Sequence, residues 1–257
     1  MFKPLDLTGR VAVVMGGTSG IGSALSVGLA EAGADVVACS RRVDAVEQTA
    51  LAIEQRGRRT LRITADVADR GSLTAARDAI LAKMGHVDIL INCAGRIKRT
   101  PALELPEEEW DAILETNLTG TLRSCQVFAP AMIEQKWGRI VNIASLNSFA
   151  AFYEVAAYSA SKAGVAGLTR SLAIEWGRHG VNVNAIAPGV FRTALNEALL
   201  DGTERGKELL MRTPLKRFGR IEELAGAAVF LSSEAASFVN GEVLVVDGGF
   251  LASGVNQ

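Results

Sequence analysis

Val11-Ala12-Val13-Val14-Met15-Gly16-Gly17-Thr18-Ser19-Gly20-Ile21-Gly22 sets an apolar, β-branched run directly against a glycine-rich turn. The run reads as an inner strand, and the Ala/Leu-rich stretch that follows, Ala24 to Ala32, reads as a helix. The alternation continues along the chain. Apolar runs recur at Asp35 to Cys39, Leu61 to Thr64, Ile89 to Asn92, Ile140 to Ile143, Val181 to Ile186 and Val243 to Val246. Helical periodicity lies between them, at Val43 to Arg56, Ser72 to Met84 and Gly164 to Arg178. Parallel neighbours need crossover connections, so this pattern predicts an α/β fold with a parallel seven-stranded sheet and helices on both faces. That is a single doubly wound Rossmann domain over residues 1–257. Residues 190–218 break the alternation, with charges of both signs and no β-branched run, and are expected to form a lid.

The 257 residues are 49% hydrophobic and 21% charged, ordinary globular composition. A net charge of -1 points to neither nucleic acid nor a membrane surface, and leaves a small-molecule substrate as the expected partner. Cys39, Cys93 and Cys125 are odd in number and far apart, so neither a disulfide framework nor a zinc site is indicated, and a reducing, cytoplasmic setting is expected. Neither His86 nor His179 has ligand partners at a recognisable spacing, so no metal is expected. The charge-free run from Val11 to Ala30 is interrupted by glycine and serine, and its apolar opening is too short for a secretory signal.

In the opening loop, Gly16, Thr18, Ser19, Gly20, Ile21 and Gly22 would let the backbone approach a pyrophosphate at a helix N-terminus. A tight turn with no ligand is the plain alternative. Beyond the second strand, where a carboxylate would hold the ribose of NAD, stand Ser40, Arg41 and Arg42. Two guanidiniums and a hydroxyl suit the 2′-phosphate of NADP, so NADP (NADPH) is the preferred cofactor and NAD a possible one. A solvated basic pair is the alternative. Asp66 and Val67 would meet the adenine amino group, or cap a helix.

Tyr158 and Lys162 stand four residues apart, on one helical face. An ordinary tyrosine is a poor base at neutral pH, and a nearby cation would favour its phenolate. Ser145 follows the Ile140 to Ile143 strand, at the end where parallel sheets bind ligands, as does the Asn92-Cys93-Ala94-Gly95 stretch; Asn117 accompanies them. Taken singly, each could be a turn residue or an internal hydrogen bond.

Together these residues resemble the short-chain dehydrogenase/reductase family from about Leu7 to Leu251. Gly16 to Gly22 resembles its TGxxxGIG loop, Asn92 to Gly95 its NNAG stretch, Pro188-Gly189 with Thr193 its PGxxxT, and Asp247-Gly248-Gly249 its DGG. Asn117, Ser145, Tyr158 and Lys162 resemble its catalytic tetrad. Met15 and Cys93 depart from the family's Thr and second Asn. The resemblance implies an oxidoreductase acting on CH–OH groups. Tyr158 would be the general acid or base, Ser145 would hold the substrate oxygen, Lys162 would bind ribose and depress the tyrosine pKa, and Asn117 would hold a relay water. It further implies that Asn92, Ala94, Gly95, Pro188, Gly189, Val190 and Thr193 line the cofactor, together with Tyr158 and Lys162.

For the substrate, Gly95 to Pro101, Asn182 to Gly189 and Val239-Asn240-Gly241 resemble gluconate 5-dehydrogenases, implying a sugar acid or polyol. Arg99 is the expected carboxylate contact, with Asn147, Ser145 and Tyr158 beside it. Arg192 to Arg220 holds seven basic and four acidic residues. Two alternatives stay open: a 3-oxoacyl carrier-protein reductase, and a non-enzymatic NADP-binding regulator. The family also implies a homotetramer.

Overall fold

Along β1 (Val11–Met15) successive side chains enter two different apolar layers. Val11, Val13 and Met15 pack with Leu73, Ile80, Phe128 and Met132, while Ala12 and Val14 pack with Leu25, Leu29, Leu224 and Leu231. A strand buried on both faces requires helices on both. In the computed structural model, residues 3–193 and 196–254 are described. Ala194 and Leu195 of the expected lid, and both chain ends of the expected 1–257 domain, lie outside the described residues.

The single α/β sheet holds six parallel strands in the order β2-β1-β3-β4-β5-β6. They are β1, β2 (Asp35–Cys39), β3 (Ile89–Asn92), β4 (Gly138–Ile143), β5 (Val181–Pro188) and β6 (Val243–Val246). Helices α3 (Arg70–Met84), α5 (Gly120–Glu134) and α6 (Ala156–Trp176) cover one face; α1 (Gly20–Glu31) and α9 (Ala225–Leu231) cover the other. Helices α2 (Val43–Glu54) and α4 (Glu107–Leu114) flank them. From β1 the chain proceeds to β2 on one side and β3 on the other. The crevice between β1 and β3 is therefore the switch point at which ligands bind in such sheets.

The seventh strand expected at Leu61 to Thr64 does not form; only Thr64 bridges to Ser40. The reason is a mismatch in register. Val36 N donates to Arg59 O at 3.1 Å and Ala65 N to Ser40 O at 3.0 Å. Four residue steps along β2 thus face six in the outer segment, and the slack bulges away from any continuous ladder. Leu61 and Ile63 still pack on the core, while Arg62 turns outward to Glu47 and Glu54.

Between β5 and α9 the chain forms α7 (Glu197–Leu200) and α8 (Glu204–Arg212), helices that periodicity alone did not indicate. Its base is closed by Arg192 N to Gly219 O (3.2 Å) and Gly219 N to Val190 O (2.9 Å). Leu200 and Leu209 pack on Leu146, Phe152 and Phe250.

Candidate active site

Contact geometry, rather than turn propensity alone, requires glycine at the head of the crevice. Gly16 has φ +74°, and a Cβ there would come within 2.6 Å of Ala94 N and Cα. One on Gly22 would meet Gly16 O at 2.0 Å. Helix α1 then begins at Gly20 with no side-chain cap from Ser19 and no acid in its first turn, so its first amides are available to an anion. Across from them the Thr193 methyl stands 4.0 Å from where a Gly20 Cβ would lie.

At the end of β2, Thr18 Oγ1 donates to Ser40 Oγ at 2.7 Å, and Arg42 N donates to the same oxygen at 3.3 Å. Arg41 lies 3.8 Å from Asp66, with its side chain 79% exposed, a contact too weak and solvated to hold the guanidinium in place. Thr18, Ser40, Arg41 and Asp66 thus gather at one end of the crevice, and Arg42 is exposed beside them. Asp66 also accepts from Ala68 N at 2.9 Å. Val67 faces the core, so only its backbone is left for a ligand. A cradle that a Cβ would fill, free helix amides and two guanidiniums fit a dinucleotide carrying an extra phosphate.

Asn117 sits in a π-helical turn, Glu115–Thr119, between α4 and α5, an irregularity common at functional sites. Fully buried, it accepts from Arg96 N (2.8 Å) and donates to Arg96 O (2.9 Å) and Ser161 Oγ (3.0 Å). Its amide thereby ties the loop after β3 to α6. Ser161, which the sequence reading passed over, donates in turn to Tyr158 O at 2.7 Å. Its hydroxyl between Tyr158 and Lys162 was the available signal.

Lys162, also buried, donates to Ile143 O at the end of β4 at 2.6 Å. Asn147 N donates to Ser145 Oγ at 3.2 Å, Asn147 Nδ2 to Ser159 Oγ at 2.8 Å, and Ser148 Oγ to Lys162 O at 2.7 Å. These bonds pin the first turns of α6 to the turn after β4 and place Ser145, Tyr158 and Lys162 at one strand end. Gly95 closes the group: a Cβ there would lie 3.4 Å from Asn117 Oδ1 and 3.8 Å from Lys162 Nζ.

Burial dominates the electrostatics. It lowers Lys162 to about 8 and pushes the Cys93 thiol up to about 11. It raises the Tyr158 phenol above its ordinary value, opposed by a hydrogen bond with Ser145. The Lys162 ammonium stands 5.7 Å from the Tyr158 ring centroid. For Tyr158, desolvation outweighs the opposing hydrogen bond with Ser145.

Pro188 ends β5 and Gly189 follows it, where a Cβ on Gly189 would come within 2.5 Å of Asp247 Cα. The Asp247 carboxylate accepts from Gly249 N and Leu251 N, fixing the closing turn against them. Met15 is core, and its carbonyl accepts from Cys93 N at 2.9 Å. Asn92 Nδ2 donates to Asn142 Oδ1 at 2.9 Å inside the sheet, so this residue works in the fold.

Of the cations after Gly95, Arg96 and Lys98 pair with Glu109 on α4. Arg99 pairs with Glu154 at 2.7 Å, a partner not foreseen from the sequence. The Asn182 to Asn184 run is buried within β5. Its amides clamp the segment before β6: Asn182 Nδ2 donates to Val239 O at 3.0 Å, Asn184 Nδ2 to the same carbonyl at 2.9 Å, and Val183 N to Asn240 Oδ1 at 2.9 Å. Among the described residues no three His, Cys, Asp or Glu side chains are grouped to hold a metal ion, and no helix is long and apolar enough to cross a membrane.

This crevice, with its serine, tyrosine and lysine at one strand end, defines an oxidoreductase site of the short-chain type. Residues 16–251 match the family described as enoyl-(acyl carrier protein) reductase, and the chain belongs to the short-chain dehydrogenase/reductase family. It is 43% identical to a 2-dehydro-3-deoxy-D-gluconate 5-dehydrogenase of Dickeya dadantii (strain 3937), over 98% of this chain and 99% of that protein. It is 42% identical to a gluconate 5-dehydrogenase of Gluconobacter oxydans (strain 621H), over 96% and 97%. Among solved structures, a gluconate 5-dehydrogenase from Burkholderia cenocepacia J2315 in complex with NADP and tartrate superposes with a TM-score of 0.94, at 39% identity over 98% of each chain.

Proposed function

We propose that the protein is an NADP-dependent dehydrogenase of a sugar acid, interconverting a secondary alcohol and a ketone on a substrate of the gluconate type. The observation that carries the reading is the convergence of Ser145, Tyr158 and Lys162 at the end of β4, beside the Gly16 to Gly22 cradle. The relatives' names and the hydroxy acid held by one of them support the substrate class.

The cofactor, when bound, supplies hydride transfer. Gly16 to Gly22 and the first amides of α1 would hold its pyrophosphate, with Ser40, Arg41 and Arg42 at the 2′-phosphate. Asp66, the backbone of Val67, Ala94, Gly95, Pro188, Gly189, Val190 and Thr193 would line the rest. Tyr158 gives its phenolic proton to the substrate oxygen in reduction and takes it back in oxidation. Ser145 orients that oxygen, with Asn147 behind it. Lys162, whose ammonium donates to Ile143 O, would bind the ribose and return protons to Tyr158. Asn117 keeps the β3 loop and α6 in register for that exchange. The segment 190–218 acts as the lid.

The family description favours a second reading, reduction of an acyl thioester on a carrier protein. Turnover of gluconate-type acids, polyols and 3-oxoacyl thioesters, followed by nicotinamide absorbance with NADP(H) and NAD(H), separates the two. Sugar-acid turnover with NADP(H) is expected; thioester turnover alone would overturn the proposal. A homotetramer in the cytoplasm completes the reading. Apolar surface left exposed at Leu103, Trp110 and Ile174, and at Phe238 beside β6, supports the assembly.

A further inference from the structure

Nearly every cation of the lid is spoken for. Arg192 pairs with Asp201, Lys207 with Glu204, Arg212 with Glu208, and Arg217 and Arg220 with Glu223. Lys216 Nζ donates to Met211 O at 3.0 Å. Among the described residues of that segment, only Arg205 is a cation with neither a hydrogen bond nor an ion pair, although it is half-buried. A guanidinium withdrawn from water without a partner is unfavourable unless something else supplies the negative charge.

Its surroundings show where that charge would sit. Arg205 lies one helical turn before Leu209, on the same face of α8, and Leu209 packs with Leu146 and Phe152 on either side of the turn that follows Ser145. Arg205 is thereby turned toward the segment between the two catalytic hydroxyls. There it is within electrostatic reach of Arg99 and Glu154, and of Glu208 on its own helix, which is already paired with Arg212. Glu154 takes a left-handed backbone, φ +65°, unfavourable for a non-glycine residue, and it is held there by Arg99 at 2.7 Å and by Thr100 N donating to its carbonyl at 2.9 Å. Glu154 therefore pairs with Arg99 of the β3 loop, while Arg205 of the lid stands within its electrostatic reach but makes no ion pair with it.

We propose that Arg99 and Arg205 form a two-pronged carboxylate clamp for the end of the substrate remote from the reacting carbon, with Glu154 as the internal counter-ion that the substrate's carboxylate replaces. The inference rests on the sugar-acid reading for its substrate and keeps Arg99 as the expected carboxylate contact, but it adds Arg205 and the Glu154 counter-ion, which that reading does not assign.

The test compares wild type with Arg205→Gln, Arg205→Lys and Glu154→Gln, with Lys207→Gln as an exposed control on the same helix. Steady-state KM is measured for gluconate and for the alditol in which the carboxylate is a hydroxymethyl group. Gluconate binding to the NADP+-saturated protein is measured by calorimetry. Arg205→Gln is expected to raise KM and Kd for gluconate by about 10- to 100-fold, the loss of a charge-assisted contact, and to leave the alditol unchanged. Arg205→Lys, which keeps the charge without the fork, should fall between, and it carries the test if the glutamine variant does not fold. Glu154→Gln should tighten gluconate binding by removing its competitor. Equal changes for acid and alditol, or gluconate binding unaltered in Arg205→Gln and Arg205→Lys, would overturn the clamp. A wild type that turns over no sugar acid, yet binds gluconate through Arg205, would overturn the proposed function and leave the clamp standing; no gluconate binding at all would overturn both.

Discussion

Tyr158 and Lys162 are pushed in opposite directions by the same cause, since burial disfavours phenolate and ammonium alike. A phenol raised above its ordinary range serves reduction at neutral pH, where it is fully protonated, and limits oxidation, which needs it ionised. The kcat/KM for alcohol oxidation should therefore climb throughout the alkaline range, while that for ketone reduction stays level and then falls. An oxidation profile flat above pH 8 would contradict this. Tyr158→Phe should lower turnover by roughly 10²- to 10⁴-fold with cofactor Kd nearly intact, because it removes a proton and no phosphate contact. Near-normal kcat in that variant would remove the tyrosine from the chemistry. At the β2 end, the weakly held Arg41 predicts that Ser40→Asp with Arg41→Ala reverses the cofactor preference, read as the ratio of kcat/KM for NADP(H) and NAD(H).

Asn117 shows what an element contributes that no single position could announce. Its residue type and place were readable, but the π turn carrying it was not, because five residues of unremarkable helix-forming character hold no mark of one residue too many. The outer segment beside β2 misled for a related reason. Leu61 and Ile63 alternate as a strand should, and only the spacing of two backbone hydrogen bonds shows that the ladder is broken. Ion pairing was equally hidden. Arg99 was visible, whereas Glu154 and Arg205 acquire meaning from elements far apart in the chain. By contrast the β1 loop was fully legible, because glycine there answers a contact. Gly16→Ala should lower Tm and abolish cofactor binding together, as the added methyl meets Ala94 backbone at 2.6 Å and φ is +74°. A variant that binds cofactor normally would mean the loop can shift.

Stability of the whole molecule carries the signature of one enclosed ammonium. Lys162 falls from an ordinary 10.5 to about 8 in the folded chain, so between those values the unfolded chain binds more protons and folding strengthens as pH rises. Relative to Lys162→Met, wild type should gain on the order of 3 kcal/mol across that window, measured by denaturant unfolding at successive pH values. A constant difference would place the amine in water. Light scattering should return a tetramer mass. The broken register beside β2 has a bearing on how such an assembly stops growing. The bulged segment from Arg59 to Ala65 covers that flank and presents no straight row of donors and acceptors, whereas β6, only partly buried, ends the sheet on the other flank. A sheet that is sealed on one flank cannot be extended head to tail. Copies meeting through it can join only β6 to β6 about a two-fold axis, which uses up both free edges at once, so the contact terminates in a closed pair and does not propagate as a filament.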